Sequence, residues 1–520
     1  MGSGQTRQGV AKKLAEWLKW PEQLFEIAAD KLRARAESRR LAEGAKPVRL
    51  RAEAVRELFA LWAGSTVSHE ASSALGRYAS TAGRAAGETE NVRDGGDDVK
   101  VAAANRECEE GDVEARGGGA AAVISGADPR SYGGGKTSAG DRAAESPAEE
   151  AGNAAGRQGE TERPAFGART MKWCGEERSL LYRIEFETER ANRNNVTRTE
   201  AYRAVYFRRP ELHWALLAHI VSRNGGWNMT DLKGELLPRL LTEDQTEATF
   251  RLLERCNALI FGDAYPQLLL YEAGRKAERD YSGLAAAFGV SAFMEPVWAL
   301  FRKRRDSALL TTALIVNEQH VIERRVVQHP EYREHVLNKP SFKVQAVLQT
   351  NTVVLPYGVQ AEAGMKLAGL VLEHFGDLRE RIEFGKRLYA VLFGVPEVRS
   401  GALEFVRAVQ HTGSRADYAP HLFTSVRSGK SRGLYKPRLK DGKLARGAKP
   451  LYSPKLGDAW PDRSVEPPRP GDWTRWAGPV ESYFEELPLP PVFEVTDAHW
   501  LALAKIELAV AGAERLGWSK

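Results

Sequence analysis

The stretch 213–234, HWALLAHIVSRNGGWNMTDLKG, decides the fold class because it predicts a helix that is buried on most of its sides. Its first half is apolar around nearly the whole circumference of a helix, as in the interior of a helical protein. Gly225 and Gly226 follow, and a glycine at the end of a helix can adopt the left-handed conformation that closes it. We therefore predict a core helix that ends at this glycine pair and leads into a polar turn.

Helix signals dominate the chain on both sides of this stretch. Capping-box patterns at 197–200 and 242–245 predict two helix starts, and Pro210 suits the first turn of the helix between them. No alternating apolar pattern is long enough to predict a substantial sheet. The predicted fold class is mainly α, an irregular multi-helix bundle with a long disordered insertion and a basic extended C-terminal loop. Further helices are predicted over residues 293–304, 307–325, 363–375, 379–393, 396–410 and 497–516.

A sharp change in composition divides the 520 residues, which are too many for one ordinary hydrophobic core. Residues 64–168 are rich in Ala, Gly, Glu, Asp, Ser and Arg and nearly lack large apolar side chains, so burial cannot offset the entropy of ordering them. We predict five segments. They are a basic amphipathic helical segment (1–63), a disordered linker (64–168), a helical core domain (169–424), a basic and Pro-rich extended segment (425–495) and a C-terminal helix (496–520).

Several classes of protein are disfavoured by the composition. Cys108, Cys174 and Cys256 lie far apart and form no CxxC pair, which predicts reduced thiols and no metal site. No apolar run reaches the length of a membrane span, and the N-terminus does not match a secretory signal. The segment GGGKT at 133–137 lacks the first glycine of a phosphate-binding loop. We expect a cytoplasmic protein without a cofactor.

Two polar turns are the candidates for a catalytic site. The first follows the glycine pair of the core helix, and the second is HTGSRADYAPH at 411–421. An aspartate that orients an imidazole can support acid–base chemistry. The alternative is that both turns are architectural, with Arg223 paired to Asp231 and the other polar groups capping helix ends. The candidate catalytic residues are His213, Arg223, Asn224, Asp231, Arg415, Asp417 and His421.

The segment 427–455 is strongly basic, with ten Lys and Arg residues and one acidic residue, Asp441. Lys and Arg bind phosphate backbones, and the interleaved Tyr435 and Tyr452 are of the type that stacks on bases. The net charge of +6 fits a mild affinity for polyanions, although no nucleic-acid-binding module is recognised. The candidate anion-binding residues are Arg427, Lys430, Arg432, Lys436, Arg438, Lys440, Lys443 and Arg446.

Three blocks of sequence carry a family resemblance. The stretch 192–241, which begins NRNNVTRTEAYRAVYFRRPELHW, is similar to the core of the YppC-like family, known as domain of unknown function 2515. HTGSRADYAPHLFTSV at 411–426 and LYSPKLGDAWPD at 451–462 resemble later segments of that family. The resemblance covers about residues 173–465 and implies a helical fold in the bacterial cytosol, with the linker as an insertion. It implies no activity and gives no residue a catalytic role.

We therefore expect a non-enzymatic helical protein that binds an anionic or macromolecular partner through its basic segments. The partner would be a polyanion, either nucleic acid or an anionic membrane surface, or another protein. Two alternatives stay open, an enzyme whose polar site is formed by the turns in 213–233 and 411–421, and a structural scaffold.

Overall fold

The computed structural model describes most of the chain outside the predicted linker. Residues 65–168 of the predicted linker, which include Cys108, lie outside the described residues, and so do Lys430 and Arg432. For residues 20–28 and 359–360 only the backbone is described. The described residues are 20–64, 172–339, 342, 351–360, 364–427, 429, 434–440, 442–468 and 471–517.

Long helices form most of the described structure, which confirms the mainly α class. They enclose a large apolar core that receives side chains from almost every helix. The helices are α1 (Trp20–Glu43), α2 (52–64), α3 (Gly175–Ala191), α4 (Asn195–Arg208), α5 (His213–Asp231), α6 (Glu243–Ala277), α7 (Met294–Arg304), α8 (Ser307–Ile322), α9 (Leu378–Gly394), α10 (Pro396–Ala408) and α11 (Thr496–Arg515).

An antiparallel hairpin of β1 (Thr352–Gln360) and β2 (Gly364–Val371) packs against α10. The prediction of a helix over 363–375 is therefore wrong. At Gly369 the two strands approach so closely that an added Cβ would lie 2.2 Å from the Val353 carbonyl oxygen. Pairing and packing of this kind override local helix propensity, and the short alternating pattern gave too weak a signal.

The basic C-terminal segment is extended, as predicted, and the strands among its described residues are two residues long. Strand β3 (Phe423–Thr424) pairs in parallel with β6 (Leu451–Tyr452). Between them, β4 (Leu439–Lys440) and β5 (Lys443–Leu444) form a short antiparallel hairpin.

Helix α5 continues through the glycine pair to Asp231, so the predicted helix end is wrong. The glycines allow close packing instead. A Cβ on Gly226 would lie 2.3 Å from Asn195 Oδ1 and 2.7 Å from His411 Nε2. Because only a residue without a side chain fits there, α4 and the segment at His411 can pack directly on the α5 backbone.

The predicted helix starts are confirmed in part. Thr242 caps α6 and forms the predicted capping box with Gln245. Helix α4, in contrast, begins three residues earlier than predicted, because Asn194 accepts a hydrogen bond from the Thr197 backbone N–H at 3.0 Å. Pro210 precedes α5 and does not lie in its first turn, since that helix begins at His213.

The N-terminal helices α1 and α2 are part of the core. Ala54 and Leu58 of α2 are fully buried, and the Trp62 ring meets Phe293 edge to face at 5.6 Å. Between the two helices, the Lys46 backbone N–H donates to the Gly394 carbonyl at 2.7 Å. These contacts hold the N-terminal segment against α7 and α9.

Candidate functional site

The second half of α5 meets the segment 411–418 in a buried cluster that we call the polar junction, made of Asn195, Gly226, Trp227, His411 and Asp417. His411 Nε2 lies 2.9 Å from Asn195 Oδ1, and His411 Nδ1 lies 3.3 Å from Asp417 Oδ2. The Trp227 indole N–H donates to the same carboxylate oxygen at 3.4 Å. The side chains of His411 and Asp417 are 1 % and 5 % exposed, so the junction is closed to large ligands.

Burial and hydrogen bonding set the charges in the junction. Burial lowers the pKa of the His411 imidazole below its usual value, although Asp417 opposes this shift. Burial would raise the pKa of Asp417, but hydrogen bonds from His411 and Thr412 outweigh it, and the pKa lies below its usual value. At neutral pH the junction therefore contains a neutral imidazole beside a carboxylate.

The two sequence-predicted turns come together through a partly buried ion pair. Asp231 at the end of α5 accepts hydrogen bonds from Arg415 Nε on both carboxylate oxygens, at 2.9 and 2.8 Å, and Arg415 Nη2 lies 2.7 Å from Asp231 Oδ2. Arg415 also donates to Tyr418 Oη, and Thr230 Oγ1 donates to the Gly413 carbonyl at 2.6 Å. Each turn is thus completed by the other, and such a bidentate pair fixes their relative orientation.

Arg223 is fully buried and does not pair with Asp231, so the predicted Arg223–Asp231 ion pair is wrong. Its Nη2 donates to the Val409 carbonyl at 2.7 Å, and its guanidinium lies 4.6 Å from the centre of the Phe405 ring. Its Nε and Nη1 have no hydrogen-bond partner among the described residues. Burial lowers the pKa of this guanidinium to about 10, and Asp417 opposes the shift.

The remaining predicted residues serve other contacts. The Asn224 side chain donates to the Val354 carbonyl and accepts from the Val354 backbone N–H, at 2.9 Å each. It thus satisfies backbone groups of β1 as a neighbouring strand would. His213 lies at the opposite end of α5, roughly 27 Å from Asp231 at about 1.5 Å per residue. It contacts Tyr389 Oη at 2.9 Å, and burial lowers its pKa to about 4. His421 packs edge to face on Trp500 at 5.9 Å.

A cavity of about 550 Å³ lies along a face of α5 that turns away from the junction. Its walls are mostly apolar. The sequence does not indicate the cavity, because an apolar helix face that borders a cavity has the same residue pattern as one that packs against the core. Asn224, Asp231 and Arg415 line it, whereas His213, Arg223, Asp417 and His421 do not. Prominent wall residues are Trp214, Leu217, Val221 and Asn228 of α5, Leu252, Cys256 and Asn257 of α6, Glu318 and Gln319 of α8, Phe384 and Leu388 of α9, and His499, Leu503 and Ile506 of α11.

Comparison with known proteins identifies the family. Residues 190–494 match the model of the family described as "Protein of unknown function (DUF2515)". The chain belongs to this family. It is also 42 % identical over 240 residues to the "Uncharacterized protein YppC" of Bacillus subtilis (strain 168), an alignment that spans 46 % of this chain and 73 % of that protein. No solved structure matches the chain.

The DUF2515 match includes the polar junction, the ion pair and both strands of the β1–β2 hairpin. It does not include α1, α2, α11 or residues 175–189 of α3, although all of these helices pack into the same core as the matched residues. Two walls of the cavity, α5 and α6, therefore lie inside the match, and a third wall, α11, lies outside it.

The basic segment of this DUF2515 member forms a loop that is anchored on α11, and we call residues 434–449 the basic hairpin. Tyr435 is 5 % exposed and donates its hydroxyl to Glu507, so it is not free to stack on a base. The Glu507 carboxylate also accepts the backbone N–H groups of Arg438 and Leu439, and Arg438 pairs with Glu235 at 2.8 Å. The exposed cations of the hairpin are Lys436, Lys440, Lys443, Arg446 and Lys449.

Arg427 precedes the basic hairpin and is exposed, with its guanidinium 5.2 Å from the centre of the Tyr452 ring.

Cys174 and Cys256 are free thiols. Within the described ranges, no group of three or more His, Cys, Asp or Glu residues could hold a metal ion. No helix of the described part is long and apolar enough to cross a membrane.

Proposed function

We propose that this protein is a cytoplasmic binding protein that holds a phosphate-rich polyanion on its basic hairpin. The observation that supports the proposal is that the acidic residues beside this loop bind its backbone and the buried Tyr435, while cations of the loop are exposed to solvent. Glu507 and Glu514 of α11 accept the backbone N–H and the hydroxyl of Tyr435 and the backbone N–H of Arg438, and Glu514 also pairs with Arg239. Lys436, Lys440 and Arg446 of the same loop are exposed to solvent.

The remaining cations are presented on a loop whose backbone is already fixed. A polyanion that neutralises several Lys and Arg residues gains free energy mainly by releasing counterions, and this gain needs no base-specific contact. Because Tyr435 is buried, we expect recognition of the phosphate backbone without sequence preference. Nucleic acid is the first candidate partner.

An anionic membrane surface is the second candidate, and one observation favours it. Val426 and Leu434, which flank the strongly basic segment 427–433, are 72 % and 60 % exposed. Basic residues beside exposed apolar side chains are typical of proteins that lie on an anionic bilayer.

The test is a quadruple variant in which Lys436, Lys440, Lys443 and Arg446 are replaced by Ala. Fluorescence anisotropy with a duplex DNA and a single-stranded RNA, and flotation with phosphatidylglycerol vesicles, would measure binding at 50 and 200 mM salt. We expect the variant to lose about 10- to 100-fold in affinity, and its salt dependence to become shallower, as expected when phosphate contacts are removed.

The matched control replaces four other exposed cations by Ala. They are Arg183 and Arg190 of α3 and Arg275 and Lys276 of α6. The control carries the same net charge as the test variant and should retain most of the binding. If both variants lose affinity equally, or if the wild-type chain binds none of the three probes, the proposal is wrong. Preference for vesicles over both nucleic acids would select the second candidate.

A further inference from the structure

The cavity extends along most of the length of α5. Its α5 wall runs from Trp214 to Asp231, and at about 1.5 Å per residue this is a length of roughly 25 Å. The cavity volume is about 550 Å³, and its α5 wall is long enough to lie beside an unbranched hydrocarbon chain. The mostly apolar walls suit such a chain, since its burial is favourable in proportion to the apolar area removed from water.

All but one of the ionic groups on the cavity wall have partners of opposite charge. Asp231 pairs with Arg415, and Glu235 pairs with Arg438. The two remaining wall cations are also paired, Arg198 with Glu254 and Arg381 with Glu323. Glu318 alone among the charged wall residues has no cation within ion-pair distance in the described part of the chain.

The carboxyl group of Glu318 is held in place by neutral donors. Trp214 Nε1 donates to Oε2 at 3.0 Å, and Gln319 Nε2 donates to Oε1 at 3.2 Å. Each carboxylate oxygen can accept more than one hydrogen bond, so acceptor capacity remains. Burial raises the pKa of Glu318 to about 8, with neighbouring Asp263 acting in the same direction, which reflects the lack of a compensating cation.

We propose that the cavity binds an elongated apolar molecule with a single cationic nitrogen, which forms an ion pair with Glu318 while the hydrocarbon body lies along α5. A ligand ammonium provides the positive partner that Glu318 lacks among the described residues, and a charge-assisted hydrogen bond of this kind is strong in a partly buried site. The protein carries a net charge of +6, so general electrostatic attraction does not favour a cationic ligand. Selectivity for the amine must therefore arise at Glu318.

The experiment compares three probes with the same hydrocarbon chain, namely dodecylamine, dodecanol and dodecanoate. Binding is measured by isothermal titration calorimetry with the full chain at concentrations below micelle formation. We expect dodecylamine to bind at least 10-fold more tightly than dodecanol and dodecanoate. Glu318→Gln should remove at least 10-fold of the amine affinity and leave the alcohol unchanged, while the exposed Glu334→Gln serves as the control and retains amine binding.

A second variant tests the location independently of Glu318. Val221 lies on the cavity wall and is 36 % exposed, so Val221→Trp fills the cavity without entering the packed core. It should abolish binding of the amine and the alcohol while circular dichroism stays that of the wild type. The proposal is overturned if no probe binds the wild-type chain, if dodecanoate binds as tightly as dodecylamine, or if Glu318→Gln retains full amine affinity. It is independent of polyanion binding by the basic hairpin, since the two tests use different variants and probes.

Discussion

Two faces of α5 differ in how closely neighbouring residues pack against them. On one face, the polar junction packs so tightly that Gly226 has no room for a methyl group and Trp227 is 1 % exposed. The other face, from Trp214 to Asp231, borders the cavity, and Val221 on it remains 36 % exposed. The same helix thus stabilises the fold with one side and leaves space on the other. A substitution should have an effect that depends on the face it changes.

The largest expected effect is that of Trp227→Ala. Trp227 packs 4.5 Å from the ring of Tyr418 and donates to Asp417, so its removal leaves a cavity and deletes one hydrogen bond of the junction. We expect a loss of about 4 kcal/mol in the free energy of unfolding, as is usual for a large aromatic residue in a core. The matched change on the cavity face, Val221→Ala, should cost about 0.5 kcal/mol or less. Denaturant unfolding of both variants measures the difference, and equal losses would contradict the distinction between the faces.

The glycine pair gives a second and sharper comparison, because the two residues are adjacent on one helix. Gly226→Ala places a methyl group against Asn195 and His411, and we expect a loss of about 3 kcal/mol from overpacking. In Gly225→Ala the nearest atom is Asn257 Nδ2 at 3.3 Å, on a side chain that can move. Alanine gains about 1 kcal/mol over glycine in a helix, so this control should be neutral or slightly stabilising. A stable Gly226→Ala protein would show that the junction is loosely packed.

A smaller effect is expected from pH, with opposite signs for two residues near the N-terminal end of α5. The pKa of His213 is lowered to about 4, so its contribution to stability is present above pH 6.5 and is lost as the pH falls towards 4. The pKa of Glu318 is raised to about 8, so its contribution is present below pH 4.5 and is lost as the pH rises towards 8.

Thermal or denaturant unfolding between pH 4 and 8.5 separates these two contributions. His213→Phe should reduce the acid-side loss of stability, and Glu318→Gln should flatten the alkaline side. Asp263, whose pKa burial raises to about 7, titrates in the same window and should leave a residual slope in the Glu318 variant. An unchanged alkaline slope in Glu318→Gln would show that Glu318 is ionised at neutral pH in the free protein.

The sequence predicts features that depend on local chemistry. The mainly α class, the cap of α6 at Thr242 and the extended basic segment all follow from side-chain types at fixed spacings, and the structure confirms them. The family was also recognisable from the block that begins at Asn192, and it is confirmed by the match.

Features that depend on distant contacts were not predictable in the same way. The glycine pair reads as a helix end, and only the approach of Asn195 and His411 explains why α5 continues. The partner of Asp231 lies 184 residues away, at Arg415, which spacing alone cannot indicate. No sequence pattern indicates Glu318, because the reason for its selection is that no cation of the described residues lies within ion-pair distance of it. The catalytic role considered for the seven candidate residues stays a prediction.

The packing of α2 has a consequence for how the polypeptide can be divided. Ala54, Leu58 and Trp62 lie among core residues, and Glu57 pairs with Lys303 and Arg304. These contacts all join α2 to parts of the chain beyond residue 172, so non-covalent forces hold the two stretches together. Residues 1–64 and 172–520, produced as separate polypeptides, should therefore associate and reconstitute the fold, which makes this protein suitable for fragment complementation.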